Sequence, residues 1–591
     1  MDYNISVNSI TISKFSMTLG MSIEIIDDDI DDLAPAKPKL ILFFDNGLET
    51  RRIPFVIKTV NYIKNRCLYT GKYKYALNML YWKTRPQNLD SRMHFNLSYG
   101  KFYKENINVD FSEAEIECDD FCYSIELGEN SISLFSHPEN FNYGKKVKAI
   151  RKFFRNIFYG LMYIMGLIFI PVWALEAVLN LLKITSVAKK VKSKNPLRRI
   201  FGNVNERLSQ FSKRKITMHK IKRGLLVLLY KLQKGRKIQD RKITFISQRR
   251  NDLSGNFEFV YDKLKNDSSL NIKFILDNKP FKKKSLLYLI KFTSALATSK
   301  VIVLDEFTPQ IHFVDLKPQT KLVQLWHACG AFKTFGFTRL GKPKGSPQAT
   351  RNHRSYDYVT VSSTYCKRCH SEGFGIPDEN VVPTGIARTD VFFDEQYKNK
   401  VITEFYNQYP QFKGKKIILF APTFRGNVQE TAHYPMHLFD LEKVFDEIGS
   451  EYVIIIKHHP FVKKQHPIPE QYSDRVIDLS QNSELNDLLF VSDLIITDYS
   501  SLVFEAALIK KPMLFYAFDL RGYINSRDFY FDFKSYIPGK IVYNLKELIQ
   551  AINERDYDTG KMQEFAEMFF DDFDGKSTER VVKLLYKCLE E

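Results

Sequence analysis

Cysteine is sparse in this sequence, with seven residues in a chain of 591. A set this small and odd cannot form a disulfide scaffold, so a reducing compartment is expected. The first residues, MDYNISVNSI, also lack the basic start and apolar core of a secretory signal. We therefore expect a cytosolic protein. Disorder is excluded as the dominant state, because hydrophobic residues make up 44% of the chain and aromatic residues 14%.

Excess positive charge is missing from most of the chain, although the net charge is +19. Residues 145–250 carry 28 Lys or Arg side chains against three acidic ones, so the remainder is slightly acidic. The same segment contains an apolar stretch, residues 156–175, of 20 residues without a charge. Basic flanks around an apolar run favour an anionic membrane surface over a nucleic acid as the partner.

Twenty apolar residues are long enough to span a bilayer, but both flanks of this stretch are basic. Residues 145–155 hold six Lys or Arg side chains and residues 183–199 hold seven, whereas spanning helices usually show the excess on one side. We therefore predict that residues 143–199 are a membrane-association segment, monotopic and on the cytoplasmic face. A true span and a buried core helix are the alternatives.

Residues 1–142 have the pattern of an all-β unit. Between Phe15 and Ile25 every second residue is apolar, which is the period of a half-buried strand. The runs LILFF at 40–44 and SISLF at 131–135 continue the pattern. Because no catalytic set is found in this region, we expect an accessory domain.

From about residue 240 short apolar runs alternate with helical stretches. The predicted strands are KITFIS (242–247), NIKFILD (271–277), VIVLDEF (301–307), KLVQLWH (321–327) and YVTVSS (358–363), followed by KIILFAPT (416–423), YVIIIKHHP (452–460), LIITDYSS (494–501) and PMLFYAFD (512–519). Such alternation indicates an α/β fold with parallel sheets covered on both faces. Two series predict two Rossmann-like domains, at 200–400 and 401–591.

Polar residues cluster where these predicted strands end. In open parallel sheets, ligands bind beyond the carboxyl ends of the strands. The candidates there are His327, Lys333, Thr423, Arg425, Lys457, His459, Asp498, Ser500, Ser501 and Glu505. Basic groups at three successive strand ends suit a diphosphate and its charged transition state. Taken singly, a strand-end histidine is usually structural and a serine at a helix start is usually a cap.

The motifs that contain these residues resemble a known family. QLWHACGAFKTFGF, VVPTGIARTDV, LFAPTFRG, KHHPF, ITDYSSLVFE and RDFYFDF occur in the order found in the CDP-glycerol and CDP-ribitol polyolphosphotransferases of wall teichoic acid synthesis. Many members have WHG followed by TPLK where this chain has WHACGAFKT, a variant similar to the subgroup with ribitol-phosphate polymerases. GIARTD replaces the commoner GxPRxD, so Arg388 matches but the proline is lost.

The resemblance implies a GT-B fold with the CDP-polyol donor bound mainly to the second domain. It also implies a lipid-linked acceptor of the undecaprenyl type and release of CMP. His327 and His459 are the implied catalytic residues, with His327 as general base, and the implied substrate-binding residues are Lys333, Arg388, Thr423, Arg425, Lys457, Asp498, Ser500, Ser501, Glu505 and Arg527. We expect no cofactor and no obligatory metal, because no carboxylate pair has the spacing of a metal-bound nucleotide-sugar site.

Two other functions are compatible with the residues alone. One is a GT-B glycosyltransferase that uses a nucleotide sugar, which a screen of donors would distinguish. The other is a non-catalytic membrane or nucleic-acid binding protein, which would bind in a salt-dependent way and release no CMP. The ordered motifs favour the polyol transferase, with no nucleic acid as partner.

Removal of the basic apolar segment tests its predicted role. A chain that begins near Lys194 should bind CDP-polyol as the full chain does, because the segment lies outside both predicted Rossmann-like domains. It should lose most activity on membrane-embedded primer and keep activity on a short soluble acceptor, since proximity to the bilayer is what it lacks. Sedimentation of the shortened chain with vesicles as fully as the intact chain would contradict this prediction.

Overall fold

The computed structural model of the protein describes most of the chain outside a central gap. The described residues are 2–13, 16–26, 38–45, 50–55, 61–63, 66–76, 91–99, 102–118, 123–136, 218–339, 350–426, 431–464, 466–481, 483–527 and 529–591. The predicted membrane-association segment, 143–199, lies outside them.

The described residues before 137 form two β-sheets that face each other. Their strands are β1 (Asp2–Ser13), β2 (Ser16–Ile26), β3 (Lys39–Asp45), β4 (Thr50–Pro54), β5 (Asn61–Ile63), β6 (Arg66–Ala76), β7 (Ser91–Tyr99), β8 (Phe102–Lys104), β9 (Glu115–Cys118), β10 (Tyr123–Leu127) and β11 (Ser131–Ser136). One sheet has the order β5-β6-β2-β1-β9, and the other has the order β10-β11-β7-β3-β4, with β8 paired to β7. The alternating apolar residues of β2 pack in the core that both sheets share.

A six-stranded parallel sheet follows, here called the first parallel sheet. Its strands are β12 (Gln239–Ser247), β13 (Asn271–Leu276), β14 (Ser299–Leu304), β15 (Lys321–Gln324), β16 (Tyr358–Thr360) and β17 (Val381–Val382), in the order β13-β12-β14-β15-β16-β17. The helices of this region are α1 (Met218–Gln233), α2 (Asn256–Leu264), α3 (Leu286–Thr298), α4 (Thr364–Phe374) and α5 (Glu395–Gln408).

The second parallel sheet also has six strands. They are β18 (Lys416–Phe420), β19 (Tyr452–Ile456), β20 (Val476–Asp478), β21 (Leu494–Thr497), β22 (Met513–Tyr516) and β23 (Lys540–Val542), in the order β20-β19-β18-β21-β22-β23. The helices are α6 (Leu441–Glu447), α7 (Leu485–Val491), α8 (Leu502–Leu508), α9 (Leu520–Arg527), α10 (Phe533–Tyr536), α11 (Leu545–Glu554), α12 (Met562–Phe569) and α13 (Ser577–Glu590). The predicted mixed α/β fold with parallel sheets is confirmed.

Strand order determines where each sheet opens for a ligand. In the second parallel sheet the order reverses between β18 and β21, so the loops after these two strands diverge and leave a crevice. In the first parallel sheet the corresponding point lies between β12 and β14. Except for Arg388 and Arg527, which follow β17 and β22, the predicted site residues follow β15, β18, β19 and β21, which places them at or beside these points.

The last helix packs against the first parallel sheet. Val581, Leu585 and Cys588 of α13 are buried in one cluster with Ile243 and Phe245 of β12. An apolar helix face packs where it can be buried, and here that surface belongs to the first parallel sheet. The prediction assigned residues 401–591 to the second domain, but the end of this range packs against the first parallel sheet.

Among the residues that the structure describes, no helix combines the length and the hydrophobicity needed to cross a bilayer.

Buried neutral histidines make the stability of this fold dependent on pH. Burial lowers the pKa of His312 and His327 to about 3, and that of His370 and His458 to about 4. Unfolded histidines, with a pKa near ~6.5, bind protons first as the pH falls. Stability should therefore be highest above pH ~6.5 and should decrease towards pH ~4, by up to ~1.4 kcal/mol per histidine and pH unit.

Thermal unfolding at a series of pH values between 7 and 5 measures this loss. His312→Gln should flatten the dependence, because one protonatable group is removed. His437→Gln, at an exposed position, should leave it unchanged. An unfolding temperature that is the same at pH 7 and pH 5 would contradict the prediction.

Candidate active site

His327 lies in a loop whose backbone is held from several sides. The preceding residue, Trp326, has a left-handed φ of +57°, which is rare for a bulky side chain. Its N–H donates to Gln324 Oε1 at 2.9 Å, and its ring centroid lies 4.6 Å from that of His327. Gly330 has φ +60°, and a Cβ there would lie 2.3 Å from the ring of Phe504. The loop therefore packs directly on α8 of the second parallel sheet.

The imidazole of His327 is neutral and has one ring nitrogen available. Burial, and then the charges of Arg249, Arg388 and Arg250, lower the pKa of His327 to about 3. Its Nδ1 is buried and has no hydrogen-bond partner within the described residues. A neutral imidazole with an open nitrogen can accept a proton from a bound hydroxyl.

Arg388 and Glu505 form an ion pair between the two parallel sheets. Arg388 lies in a short 3-10 helix, Ala387–Phe393, that follows β17, and Glu505 lies in α8. Their side chains are 19% and 5% exposed, and Arg388 also donates to Asn486 Oδ1 at 3.2 Å. Both residues were expected to bind the substrate. In the structure each is the other's partner.

Arg425, Asp498 and Thr423 form a brace at the reversal point of the second parallel sheet. Asp498 accepts the N–H of Thr423 at 2.7 Å and a guanidinium N–H of Arg425 at 2.9 Å. Arg425 also binds both carboxylate oxygens of Asp519, at 2.7 and 2.8 Å. The carboxylate of Asp498 is thus used to hold the strand ends together. Thr423 Oγ1 is buried without a partner among the described residues, which leaves it available to a ligand.

Lys457 does not present its ammonium group to the site in this conformation. Its Nζ donates to the carbonyl oxygens of Leu479, Ser480 and Ser483, at 2.9, 3.3 and 2.5 Å. An ammonium group has three N–H donors, so these contacts occupy it. Lys457 thus holds the loop after β20, and its contact with a phosphate stays a prediction.

His459 faces cations that come from the first parallel sheet. Its Nδ1 accepts the N–H of Phe461 at 3.2 Å, which places the proton of the neutral ring on Nε2. Desolvation, and then the charges of Arg249 and Lys333, lower the pKa of His459 to about 4. Neutral His459 therefore supplies an N–H donor beside two positive side chains.

Lys333 is fixed beside the second parallel sheet by backbone pairing. It forms an isolated antiparallel bridge with Phe529, and the N–H of Tyr530 donates to the carbonyl of Phe332 at 2.9 Å. Its Nζ lies 5.5 Å from the ring centroid of Tyr523. Two of the motifs singled out in the sequence thus meet here.

The remaining predicted residues divide between capping and open positions. Ser500 Oγ accepts the N–H of Leu502 at 3.3 Å, which is a capping contact. The hydroxyl of Ser501 makes no capping hydrogen bond within the described part of the chain. Arg527 ends α9, and its side chain lies outside the description.

This geometry can be compared with known proteins. The sequence model of the family described as CDP-glycerol:poly(glycerophosphate) glycerophosphotransferase matches residues 228–587. The chain belongs to this family.

Relatives in the glycerophosphotransferase family include enzymes named for both polyols. The chain is 45% identical over 366 residues to a teichoic acid poly(ribitol-phosphate) polymerase of Bacillus spizizenii, covering 62% of this chain and 59% of that protein. It is 44% identical over 353 residues to the teichoic acid ribitol-phosphate polymerase TarK of Staphylococcus aureus, covering 59% and 69%. A teichoic acid glycerol-phosphate primase of Bacillus subtilis is 33% identical over 306 residues, covering 51% and 77%. The chain thus spans less than two thirds of the length of the Bacillus spizizenii polymerase.

A solved structure supports the same fold. The wall teichoic acid polymerase TagF aligns with a TM-score of 0.51 and 21% identity, covering 66% of this chain and 98% of that chain. At this identity the likeness shows the fold, a mixed α/β arrangement with parallel sheets.

Three polar residues at this site were not predicted from the sequence. Arg249 and Arg250 follow β12 and form ion pairs with Glu306 and Asp305 after β14, the second pair at 3.0 Å. Their position at a strand end was a usable signal. The third residue, Asn256, carries no motif and could not be found in this way. No group of three His, Cys, Asp or Glu side chains with metal-binding geometry occurs among the described residues.

The brace around Asp498 predicts a large loss of stability for one substitution. Asp498→Ala removes a buried carboxylate and leaves Arg425, whose side chain is 12% exposed, without one of its two partners. Breaking a buried charged pair costs about 3–5 kcal/mol, and chemical denaturation measures it.

A half-buried aspartate provides the control. Asp440 caps α6 by accepting the N–H of Glu442 at 3.2 Å, so Asp440→Ala should cost ~1 kcal/mol. Equal losses in the free energy of unfolding for the two variants would contradict the stabilising role of Asp498.

Proposed function

We propose that this protein transfers polyol phosphate from a CDP-polyol to a lipid-linked teichoic acid acceptor and releases CMP. Ribitol phosphate is the favoured unit, because the relatives at 45% and 44% identity are named ribitol-phosphate polymerases. Glycerol phosphate is the second candidate, since a glycerol-phosphate primase is related at 33%. One structure of TagF was obtained after a soak with CDPG, which supports a CDP-linked donor.

One observation carries this proposal. The neutral His327, whose buried Nδ1 has no hydrogen-bond partner among the described residues, lies near the charges of Arg249 and Arg388, at the carboxyl ends of two parallel sheets. A base without charge beside cations suits a reaction in which a hydroxyl attacks an anionic phosphorus centre. The arrangement supports a GT-B enzyme whose acceptor lies towards the first parallel sheet and whose donor lies towards the second.

The reaction follows from these groups. A terminal hydroxyl of the acceptor attacks the polyol-side phosphorus of the donor, and a new P–O bond forms. The bond between that phosphorus and the oxygen bridging to the cytidine-side phosphate breaks, so CMP leaves. His327 accepts the hydroxyl proton.

Donor binding strengthens His327 as a base. In the free protein its pKa is about 3, mainly because of burial and then because of the three neighbouring arginines. The negative charges of a diphosphate would offset the arginine charges and raise the pKa of His327 towards the working range. The base is therefore strongest when a substrate is present.

The diphosphate would be held by groups from both parallel sheets. Arg249 and Lys333 supply positive charge from the first, and His459 supplies its Nε2–H from the second. Thr423 and Ser501 offer hydroxyl groups without protein partners among the described residues. Arg388, with Glu505, would set the spacing of the two sides and contact the donor at their junction.

The remaining expectations belong to the same proposal. The acceptor is of the undecaprenyl type, and residues 143–199 attach the enzyme to the cytoplasmic face of the membrane. The two facing sheets before residue 137 act as an accessory domain.

Replacement of the proposed base tests the function. His327→Ala should reduce CMP release ~10²- to 10⁴-fold with either CDP-ribitol or CDP-glycerol and a lipid-linked primer, because proton removal is lost. His437→Ala, at an exposed position, is the matched control and should keep full activity. Near wild-type CMP release by the His327 variant would refute the assignment, and an enzyme inactive on both donors would refute the substrate class.

A further inference from the structure

Asn256 joins the two loops that carry the central site residues. It begins α2, and its side chain is buried, with 2% exposure. Its Nδ2 donates to the backbone carbonyl of Trp326 at 2.6 Å. Its Oδ1 accepts the backbone N–H of Arg388 at 3.0 Å. One amide group therefore contacts the chain directly before the proposed base and the chain at the arginine.

The first contact fixes the peptide that leads into His327. The carbonyl of Trp326 belongs to the peptide unit whose nitrogen is that of His327. Trp326 is in the left-handed region, a conformation that bulky residues keep only where the surroundings hold it. Gln324 holds its N–H at 2.9 Å, and Asn256 holds its carbonyl. The direction in which His327 leaves the backbone thus depends on both side chains.

The second contact fixes the backbone at Arg388. The side chain of Arg388 reaches across to Glu505 on α8, so its backbone position affects the junction of the two parallel sheets. Asn256 is itself on the first side, since α2 packs against the first parallel sheet. The relative position of His327 and Arg388 is therefore set by one residue that makes no contact with either side chain in the described hydrogen bonds.

The chemistry of this contact requires an amide. Asn offers a donor and an acceptor on one short side chain, whereas Asp only accepts and Ala does neither. Both partners are backbone groups, so the contact needs a donor and an acceptor at position 256 whatever side chains the partner residues carry. The contact is thus specific to residue type at position 256.

We propose that Asn256 is a positioning residue for polyol phosphate transfer, which holds His327 and Arg388 at the spacing that the reaction needs. This inference rests on the proposed function. A displacement of reacting groups by about 1 Å can cost ~10²-fold in rate, so loss of the contact should act on turnover. Donor affinity should change little, because the phosphate-binding groups belong largely to other loops.

The experiment compares variants in two backgrounds. Asn256→Ala and Asn256→Asp are made in the wild type and in His327→Ala, and CMP release from CDP-ribitol is measured as kcat and KM. In the wild type, kcat should fall ~10- to 10²-fold with the donor KM within ~3-fold. In the His327→Ala background both losses should be smaller, because the part that acts through His327 disappears and only the part that acts through Arg388 remains.

The two substitutions separate the two contacts. Asn256→Ala removes both, whereas Asn256→Asp keeps the acceptor for the Arg388 N–H and places a buried carboxylate oxygen against the Trp326 carbonyl, so Asn256→Ala is the variant expected to fold if only one does. Asn553→Asp is the matched control, since Asn553 donates from an exposed position to the carbonyl of Glu447 at 3.0 Å. It should leave kcat unchanged. Unfolding temperatures of all variants identify losses that come from stability alone.

The outcomes separate this inference from the proposed function. Equal losses in both backgrounds, or an unchanged kcat in Asn256→Asp, would overturn the positioning role. A His327→Ala variant with near wild-type activity would instead overturn the base assignment, whatever Asn256 does.

Discussion

The ion pair between Arg388 and Glu505 is the contact on which the site depends. It joins a loop of the first parallel sheet to α8 of the second, and both side chains are largely buried. A buried pair of this kind is weak evidence for net stability, but removal of one member leaves a buried charge that must find another partner. The pair therefore defines a closed arrangement of the two sheets. Gly330, which lets the His327 loop touch Phe504, provides a second contact between the two sheets.

The electrostatics of the site follow from this closure. Arginine and lysine side chains from the first parallel sheet lie near histidines from both sheets, and the histidines are neutral because of burial and these charges. The three arginines are each paired with a carboxylate, Glu306, Asp305 or Glu505, so an anionic substrate would compete with these carboxylates for them. Arg425, Asp498 and Asp519 neutralise one another within the second sheet, so they stiffen the site and contribute little to its charge.

Most strands of the two parallel sheets could be predicted, because each has a pattern within a few consecutive residues. Nine strands of the two parallel sheets were predicted, because each is a continuous apolar run between helical stretches. Three were missed, β17, β20 and β23, which have two or three residues and lie at the edges of the sheets. An edge strand of this length has no pattern to detect.

The candidate site was predicted in position but only partly in its contacts. The end of a predicted strand determines the backbone position of the residue that follows it. In the structure His327, His459 and Arg425 follow the carboxyl ends of β15, β19 and β18. A strand end does not fix the direction of a long side chain, so Lys457 was expected on a phosphate and lies on three carbonyl oxygens instead. Asn256 was missed because its role depends on two loops that are distant in sequence.

The stoichiometry of the two products tests the central claim most directly. The full-length protein is incubated with CDP-ribitol and a short soluble primer, and mass spectrometry identifies both the nucleotide and the extended primer. The account predicts one CMP for each ribitol phosphate unit added to the primer. The reason is that the bond between the attacked phosphorus and the bridging oxygen breaks, and the bridging oxygen leaves with CMP. Release of CDP with transfer of ribitol lacking phosphate, as in a glycosyltransferase, would contradict it.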